Sequence, residues 1–471
     1  NTAWAEHAFG ESAGLQTAPS AGIEPGFPFS FLYGGKPSSD FLPAWKREIK
    51  AEKDGTGQDR RILRFTDPET ALEVRAEAVL YHDTPAADWT LYFTNRGTAD
   101  SPVIEQVHAV EESLRPGADN PVVLHRLKGG LAAADDWLPF DQPLPPGKRI
   151  DFAATNGRSS NVCPFFTLDW GGGGVITGIG WPGQWAASVA HDKGMVRLQA
   201  GLPTLHCRLK PGESIRGPRI LQLYWTGNSV QAAYNLWRRV MFAHIMPRVN
   251  GELVVPPIAH LSTSFYELNS STEQNVLSHL EPLKGLGFEI FWLDAYWTRD
   301  GFPNGMGHYG FPLSRVEPKD RFPNGLRPIS AAVQKEGMGF LLWFEPERVA
   351  ANTLIAQEHP EWVLSPAKDG AGLFNLGLPE ARRYMTDYLK AVVREYGLLW
   401  LRFDYNIDPL PFWQFGDTEP ERAGLTEIRY VEGLYQLWDE LRAAYPSLRI
   451  DNCASGGRRM DLETCSRATP L

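Results

Sequence analysis

Four short apolar stretches of the chain each end in residues that could do chemistry. They are FEIFWLDAYW (288–297), GFLLWFEPERV (339–349), LLWLRFDYN (398–406) and LRIDNCASGGRRMD (448–461). Side chains two residues apart along a strand share a face, so Arg402 and Asp404 point the same way and Asn406 can follow them. A neighbouring guanidinium keeps a partly buried carboxylate ionised, which suits a nucleophile that attacks an anomeric carbon. The alternative interpretation is a purely structural Arg–Asp pair.

The first and second stretches supply further candidates. Asp294 ends FEIFWLD and could accept hydrogen bonds from sugar hydroxyls, or it could cap the next helix. Trp343 could form a stacking platform for a sugar ring, and Glu345 and Glu347 alternate with it along the strand. An inward glutamate that is hydrogen-bonded to the scaffold fits this pattern as well as a catalytic one does.

The fourth stretch places a turn of small residues after a strand. Gly456 and Gly457 allow backbone amides to approach a ligand closely. Cys453 at the strand tip is interpreted as a small wall residue or weak donor, because no Cys–His pattern accompanies it. Asp461 and Glu463 lie past the turn, and we expect them to have surface or scaffold roles.

The elements that position these residues alternate between strands and helices from about residue 256. Amphipathic runs at 380–397 and 427–445 predict helices between the apolar strands, and this alternation favours a parallel sheet. Polar residues at the ends of such strands point into the mouth of a (β/α)8 TIM-type barrel. A doubly wound sheet is the alternative, although no GxGxxG follows the first strand. LFNLG (373–377) could be an extra strand. The strand candidates begin near Ile258, Phe288, Gly339, Leu399 and Leu448.

The preceding part of the chain has a β texture. Short alternating segments are separated by Gly, Pro and Asp turns and predict a β-sandwich; they include 72–81, 89–95, 122–129 and 195–201. Apolar residues recur at helical spacing over 229–246, and Pro247 ends that run. The predicted domains are therefore a β-sandwich at 1–228, a linker helix at 229–255 and an incomplete, truncated barrel at 256–471.

Composition narrows the possible partners. The net charge of −10 argues against nucleic acid or an anionic membrane as partner, and the chain has no apolar run long enough for a membrane span. The 4 cysteines and 11 histidines show no metal-binding spacing, so no metal is expected. No other cofactor is expected, because attack by a carboxylate on an anomeric carbon needs none. The 16 Trp, 15 Tyr and 24 Phe fit a carbohydrate protein, and they fit a large core nearly as well.

The two ends of the sequence suggest a piece of a longer protein. The chain starts at Asn1 without an initiator Met or a signal-like segment, and it stops at Leu471 just after the fifth predicted strand. A cytoplasmic location is favoured on this basis. An open barrel edge would favour aggregation, so we expect residues 1–471 alone to be inactive and poorly soluble.

Taken together, the motifs resemble glycoside hydrolase family 36, the α-galactosidase and melibiase group. The segments that carry the resemblance are PFSFLYGGKPSS (28–39), GRSSN (157–161), GWPGQW (180–185), LWFEPE (342–347), LFNLGLPEAR (373–382), LRFDYN (401–406) and CASGGRRMD (453–461). The resemblance implies retaining hydrolysis of α-galactosides by two carboxyl groups about 5–5.5 Å apart. It makes Asp404 the nucleophile. The residues that it places around the sugar are Asp294, Trp343, Arg402, Asn406, Cys453 and Gly456.

The resemblance also implies features outside the chain. The general acid of the family lies in a Trp-x-Ser-Asp segment on the next strand, which we expect past Leu471. Family members often oligomerise through the N-terminal domain, so a homo-oligomer is possible. The expected partner is an α-linked oligosaccharide.

Three departures from the family pattern bear on which sugar is preferred. The chain has Asp294-Ala295 where the family has two consecutive Asp, and Arg402 where it has Lys. It has Ser262-Thr263-Ser264-Phe265 where the family has Asn-Thr-Trp-Glu. The alternatives to an α-galactosidase are therefore a retaining α-glycosidase of other specificity, such as an α-N-acetylgalactosaminidase, and a non-catalytic carbohydrate-binding protein of the same fold.

Overall fold

A computed structural model describes residues 3–10, 26–53, 57–116, 121–262, 267–367 and 370–470. Of the segment Ser262-Thr263-Ser264-Phe265, in which the chain departs from the family pattern, residues 263–265 lie outside the described part. The chain divides into two compact units. The first contains residues 1–245, 417–428 and 458–464, and the second contains residues 246–416, 429–457 and 465–471.

The first unit is built on two antiparallel sheets. In Leu72–Tyr81, buried and half-buried residues alternate over most of the strand, as expected for a strand with one face on a core. Trp89 of one sheet is fully buried and donates its indole N–H to the Ala109 carbonyl of the other at 2.8 Å. The nine-stranded sheet has the order Lys46–Lys53, Gln58–Thr66, Leu72–Tyr81, Ala86–Asn95, Ser214–Thr226, Gly173–Gly180, Val162–Asp169, Val123–Lys128 and Pro139–Pro143.

The second sheet of this unit has seven strands and includes a segment from late in the chain. Arg422–Ala423 pairs antiparallel with Met195–Cys207, through His206 and Cys207. No periodic pattern around residue 422 indicates this pairing. The other strands follow the order Arg149–Ala153, Ala186–Asp192, Met195–Cys207, Ile104–Leu114, Ser30–Tyr33 and Lys36–Pro37.

The helix predicted after the sandwich is present and belongs to the first unit. It covers Val230–Val240, continues as a π-helical turn over Met241–Ile245, and is capped by the Ser229 side chain, which accepts the Ala232 N–H. Its buried residues join a core cluster with strand residues such as Leu221. The other helical segments described in this unit are Ala3–Phe9, Ser38–Phe41 and Leu42–Ala44.

The second unit contains the five parallel strands that the sequence predicts. Their order in the sheet follows their order in the chain, and each pairs in parallel with the next. A doubly wound sheet would reverse this order at a switch point, so the arrangement is that of a (β/α) barrel wall. The strands are Ala259–Leu261, Ile290–Leu293, Gly339–Phe344, Leu398–Phe403 and Arg449–Asn452.

Helices and small sheets surround this parallel sheet. A strand, Gly372–Phe374, overlaps the start of LFNLG, but it pairs antiparallel with Arg348–Val349 and Val363–Leu364 instead of joining the parallel sheet. A hairpin joins Arg248–Val249 to Glu252–Leu253. The helical segments are Leu268–Ser270, Glu273–Ser278, Leu280–Leu283, Ala295–Trp297, Leu313–Arg315, Arg327–Lys335, Leu354–Glu358, Pro360–Trp362, Pro379–Tyr396 and Leu410–Gly416, while Leu425–Ala444 and Leu462–Cys465 contain residues of both units.

Within the described ranges, none of the helices combines the length and apolar character needed to cross a membrane.

Candidate active site

The candidate site forms where the third, fourth and fifth parallel strands end. The strand register places Trp343 beside Arg402, and Arg402 beside Asp451. Asp404 follows directly after the fourth strand, Leu398–Phe403, and is 8% exposed. Because parallel strands end at the same edge of a sheet, these side chains come together although more than 100 residues separate the first from the last.

Asp404 accepts hydrogen bonds from four N–H groups. The Trp343 indole N–H and the Asn406 side-chain amide donate to Oδ2 at 3.0 and 2.7 Å. The backbone N–H groups of Tyr405 and Ser455 donate to Oδ1 at 2.8 and 3.2 Å. Both oxygens of the carboxylate are therefore held in fixed positions.

These contacts keep Asp404 ionised in spite of its burial. Burial raises the pKa of this carboxyl, but hydrogen bonds from Asn406 and Cys453 and the positive charge of Arg402 lower it by more. The net effect is a pKa below the usual range for Asp. A buried, desolvated carboxylate that stays charged at neutral pH has the character of a nucleophile.

Arg402 lies in a strongly acidic surrounding. Its guanidinium donates to Asp451, donates to the Cys453 sulfur at 3.1 Å and stacks 4.4 Å from the centre of the Trp292 ring. Its Nε is 3.8 Å from an oxygen of Asp294. Burial lowers its pKa, but the negative charge of Asp451 and of the other acids raises it further above the ordinary value, so the side chain is a permanent cation.

Asp294 caps the turn that follows it, as one of its two interpretations predicts, and it also faces Arg402. Its Oδ1 accepts the Ala295 N–H at 2.7 Å and caps the 3-10 turn Ala295–Trp297, while Oδ2 faces Arg402. Burial raises the pKa of Asp294, and Arg402 opposes this shift. Its side chain remains 22% exposed, so a ligand can still reach it.

Trp343 differs from the sequence expectation. The residue is 1% exposed and packs against Phe302 and Met306, so its ring faces are covered by protein and do not form an open stacking platform. Its indole N–H instead holds Asp404. The backbone of Trp343 is held in turn by Trp297, whose indole N–H donates to the Trp343 carbonyl at 3.0 Å.

The turn after the fifth strand supplies both covered and open positions. Cys453 is buried, which raises the pKa of its thiol to about 12, and the neutral thiol receives a hydrogen bond from Arg402. Gly456 is exposed with φ of +90°, and a Cβ there would meet open space. The sulfur thus accepts from Arg402, the thiol is also hydrogen-bonded to Asp404, and Gly456 is accessible from outside.

Both glutamates of the WFEPE segment are fully buried. Glu345 accepts the backbone N–H of Asn406 at 2.5 Å, and Glu347 accepts the Tyr430 hydroxyl at 2.5 Å. Neither carboxyl has exposed surface in this structure. The scaffold interpretation therefore fits both side chains better than the catalytic one.

Asp461 and Glu463 belong to the first unit and are also buried. The Asp461 carboxylate accepts the backbone N–H groups of Glu463 and Thr464 and so caps the turn, and Glu463 pairs with Arg216. The sequence predicts surface or scaffold roles for these two acids, and their burial agrees with the scaffold role. Each of the two buried carboxylates has protein donors in place of water, and these donors offset the cost of burial.

The structure brings all seven candidates into one connected group: Asp294, Trp343, Arg402, Asn406, Cys453, Asp404 and Gly456. Three further residues contribute to the site and are not among the candidates predicted from the sequence. Asp451 and Trp292 lie two residues before Cys453 and Asp294, so strand alternation places each on the same face as a named candidate. Ser455 acts through its backbone N–H, which no side-chain pattern reveals.

Among the residues that the structure describes, no group of three or more His, Cys, Asp or Glu side chains could hold a metal ion. The chemistry available to the cluster itself is that of a fixed carboxylate beside a permanent cation and neutral hydrogen-bond donors. Such a carboxylate can attack an electrophilic carbon or stabilise a developing positive charge.

The sequence of this chain is similar to those of known proteins. Residues 259–468 match the Melibiase family model, a range that contains all five parallel strands and every candidate site residue. The resemblance to family 36 is confirmed. α-Galactosidase 2 of Pediococcus pentosaceus is 28% identical over 85% of this chain and 55% of that protein. α-Galactosidase C of Emericella nidulans is 26% identical over 66% of this chain and 43% of that protein.

The chain thus spans about half the length of the curated relatives it matches. Its fold is also that of a solved family 36 structure, the α-galactosidase AgaA from Geobacillus stearothermophilus. The TM-score is 0.73 at 18% identity, covering 94% of this chain and 63% of that chain. The family 36 neighbours combine a β-sandwich with a TIM barrel, as the two units here indicate.

Proposed function

We propose that the protein containing this chain is a retaining α-glycosidase, most specifically an α-galactosidase, with Asp404 as nucleophile. The main support for this proposal is the Asp404 carboxylate at the end of the fourth parallel strand. Four N–H groups donate to it, and its pKa is lowered, which keeps it ionised. The names of the family 36 relatives support galactose as the sugar.

The chemistry proceeds in two steps. An oxygen of Asp404 bonds to the anomeric carbon while the bond to the leaving oxygen breaks, and a second carboxyl protonates that oxygen. The product is a β-linked glycosyl-enzyme. The second carboxyl, now a carboxylate, then takes a proton from water as the water oxygen displaces Asp404 from the anomeric carbon. Two inversions restore the α configuration.

The second carboxyl is expected outside this chain. The family resemblance places it in a Trp-x-Ser-Asp segment on the next strand, past Leu471. Asp294 suits another role, because its carboxylate beside Arg402 can accept hydrogen bonds from sugar hydroxyls. With Asp294, the sugar contacts of the proposal come from Arg402, Asn406, Cys453 and Gly456, while Trp343, which the sequence also places around the sugar, is buried and acts by holding Asp404.

Ala295 is the departure most relevant to which sugar is bound. The residue is 4% exposed and packs with Met306 and Trp343. A second Asp at this position would place a carboxylate among apolar side chains, so of these two positions only Asp294 supplies a carboxylate to the sugar. The substrate we propose is a terminal α-galactoside of an α-linked oligosaccharide.

The test is kinetic and uses the full-length protein with a panel of aryl α-glycosides. We expect the α-galactoside to be the best substrate and Asp404→Asn to lower kcat by about 10⁴-fold or more. Asp408→Asn is the matched control, because Asp408 is an exposed acid four residues away. Near-normal turnover by the Asp404 variant would remove the nucleophile assignment. A best substrate with another α-sugar would keep the mechanism and change the specificity.

A further inference from the structure

We propose that Glu345 is a positioning residue for Asp404, acting through Asn406. This inference rests on the proposed function, because it assigns the residue that orients the nucleophile. Glu345 lies just beyond the third parallel strand, Gly339–Phe344, and has no exposed surface. A buried carboxyl is costly unless it is hydrogen-bonded or paired, so its contacts require an explanation.

The contacts of Glu345 lead directly to the nucleophile. Its Oε1 accepts the backbone N–H of Asn406 at 2.5 Å. The Asn406 side chain donates to Oδ2 of Asp404 at 2.7 Å, and its Oδ1 accepts the Ser455 hydroxyl at 2.6 Å. The Asn406 amide is thus held at both ends, and its backbone is fixed by Glu345.

Arg348 completes the arrangement. Its guanidinium lies 3.3 Å from Oε2 of Glu345 and donates to the Asn406 carbonyl at 3.4 Å. The Phe302 ring covers this guanidinium, with its centre 5.2 Å away. Glu345 therefore accepts the Asn406 N–H, and Arg348 donates to the Asn406 C=O. Together they fix the peptide planes on both sides of Asn406.

Electrostatics favour the contact between Glu345 and Arg348. Burial raises the pKa of Glu345 to about 7, Arg348 lowers it, and the nearby Asp404 charge raises it. The ionised form is the one that pairs with Arg348. Asn406 lies between the two acids: its backbone N–H donates to Glu345, and its side-chain amide donates to Asp404. Glu345 therefore supports Asp404 without contacting it directly.

Glu345→Gln tests the inference without changing the shape of the side chain. A glutamine has one acceptor oxygen, whereas Glu345 faces donors from both Asn406 and Arg348. Either orientation of the amide leaves two donors facing each other. Glu347→Gln is the matched control, because Glu347 is equally buried and contacts Tyr430 instead of Asn406.

In the full-length protein we expect Glu345→Gln to lower kcat about 10- to 100-fold with a smaller change in KM. The variant should also show faster hydrogen exchange of the peptide covering 403–408, because the amide NH2 faces either the Asn406 N–H or Arg348, and both of these fix the Asn406 backbone. Glu347→Gln should have a smaller effect on both kcat and the hydrogen exchange of residues 403–408. Arg348→Met is a second variant expected to act in the same direction.

Two results would overturn the inference. One is a folded Glu345→Gln protein with wild-type kcat and wild-type exchange at 403–408. The other is an equal effect of Glu345→Gln and Glu347→Gln, which would indicate general loosening of the buried segment. The exchange measurement separates this inference from the proposed function: a wild-type protein inactive on every α-glycoside would refute the activity, while the exchange difference would still report the support of Asn406.

Discussion

At the residue scale, Asp404 is defined by what surrounds it. The sequence identified the carboxylate and its neighbours Arg402 and Asn406, because residue type and strand alternation are visible in a single sequence. It did not identify the Ser455 N–H as a donor, because any residue type has a backbone N–H. It also assigned Trp343 an open face, since burial depends on loops that no local pattern specifies.

Asn406→Ala tests how the carboxylate is kept ionised. The Asn406 hydrogen bond is the largest of the contributions that lower the pKa of Asp404, so its removal should raise that pKa. A higher pKa means that Asp404 becomes protonated at a higher pH, and the acid limb of kcat/KM should therefore move to higher pH. A hydrogen bond to a charged group contributes about 1.5–3 kcal/mol, so activity should fall about 10- to 100-fold.

The measurement is a pH–rate profile of the full-length wild-type and Asn406→Ala proteins, with melting temperatures as the folding control. An unchanged acid limb would mean that Asn406 does not set the ionisation of Asp404.

At the scale of elements, strand ends determine the site. The five parallel strands could be predicted because each is an apolar run between helical patterns. The strand Gly372–Phe374 could be predicted as a strand but not as a member of a separate antiparallel sheet, because pairing partners are set by tertiary contacts. The turn after the fifth strand matters most, since it carries Cys453, Ser455 and Gly456.

Gly456→Ala tests whether this turn lines the substrate site. Gly456 has φ of +90° and open space around it, so an added methyl group strains the backbone without a clash and should cost about 1–2 kcal/mol. If the turn contacts the sugar, KM should rise in addition. Gly337→Ala is the control, because Gly337 has φ of +77° with open space and follows the helix Arg327–Lys335, away from the site.

The free energy of unfolding and the KM of both variants should be compared in the full-length protein. Equal stability losses with a KM change only in Gly456→Ala would support the turn as a substrate contact. An unchanged KM in Gly456→Ala would contradict it.

At the scale of the whole molecule, the units are not continuous in sequence. Segments 417–428 and 458–464 belong to the β unit, although the sequence predicts one boundary near residue 228 and assigns both segments to the barrel. No composition shift marks them. Buried ion pairs and strand pairing explain their place: Glu463 pairs with Arg216, and Arg422–Ala423 extends a sheet. The domain boundaries at 1–228, 229–255 and 256–471 stay a prediction.

Glu463→Ala tests the late segment as part of the β unit. Arg216 is 8% exposed, so removing its carboxylate partner leaves a buried cation and should lower the free energy of unfolding by about 3–5 kcal/mol. Adding Arg216→Met should recover much of this loss, because the uncompensated charge is removed as well. Denaturant unfolding of the two variants measures both effects. A single variant as stable as wild type would contradict the assignment.

The central claim, that Asp404 is the nucleophile of an α-galactosidase, is tested most directly by mechanism-based labelling. The full-length protein is treated with a 2-deoxy-2-fluoro α-galactosyl donor, digested and analysed by peptide mass spectrometry. We predict a covalent glycosyl adduct on the peptide that contains Asp404, absent from Asp404→Asn. An adduct on another carboxylate, or no adduct with any α-glycosyl donor, would contradict the account.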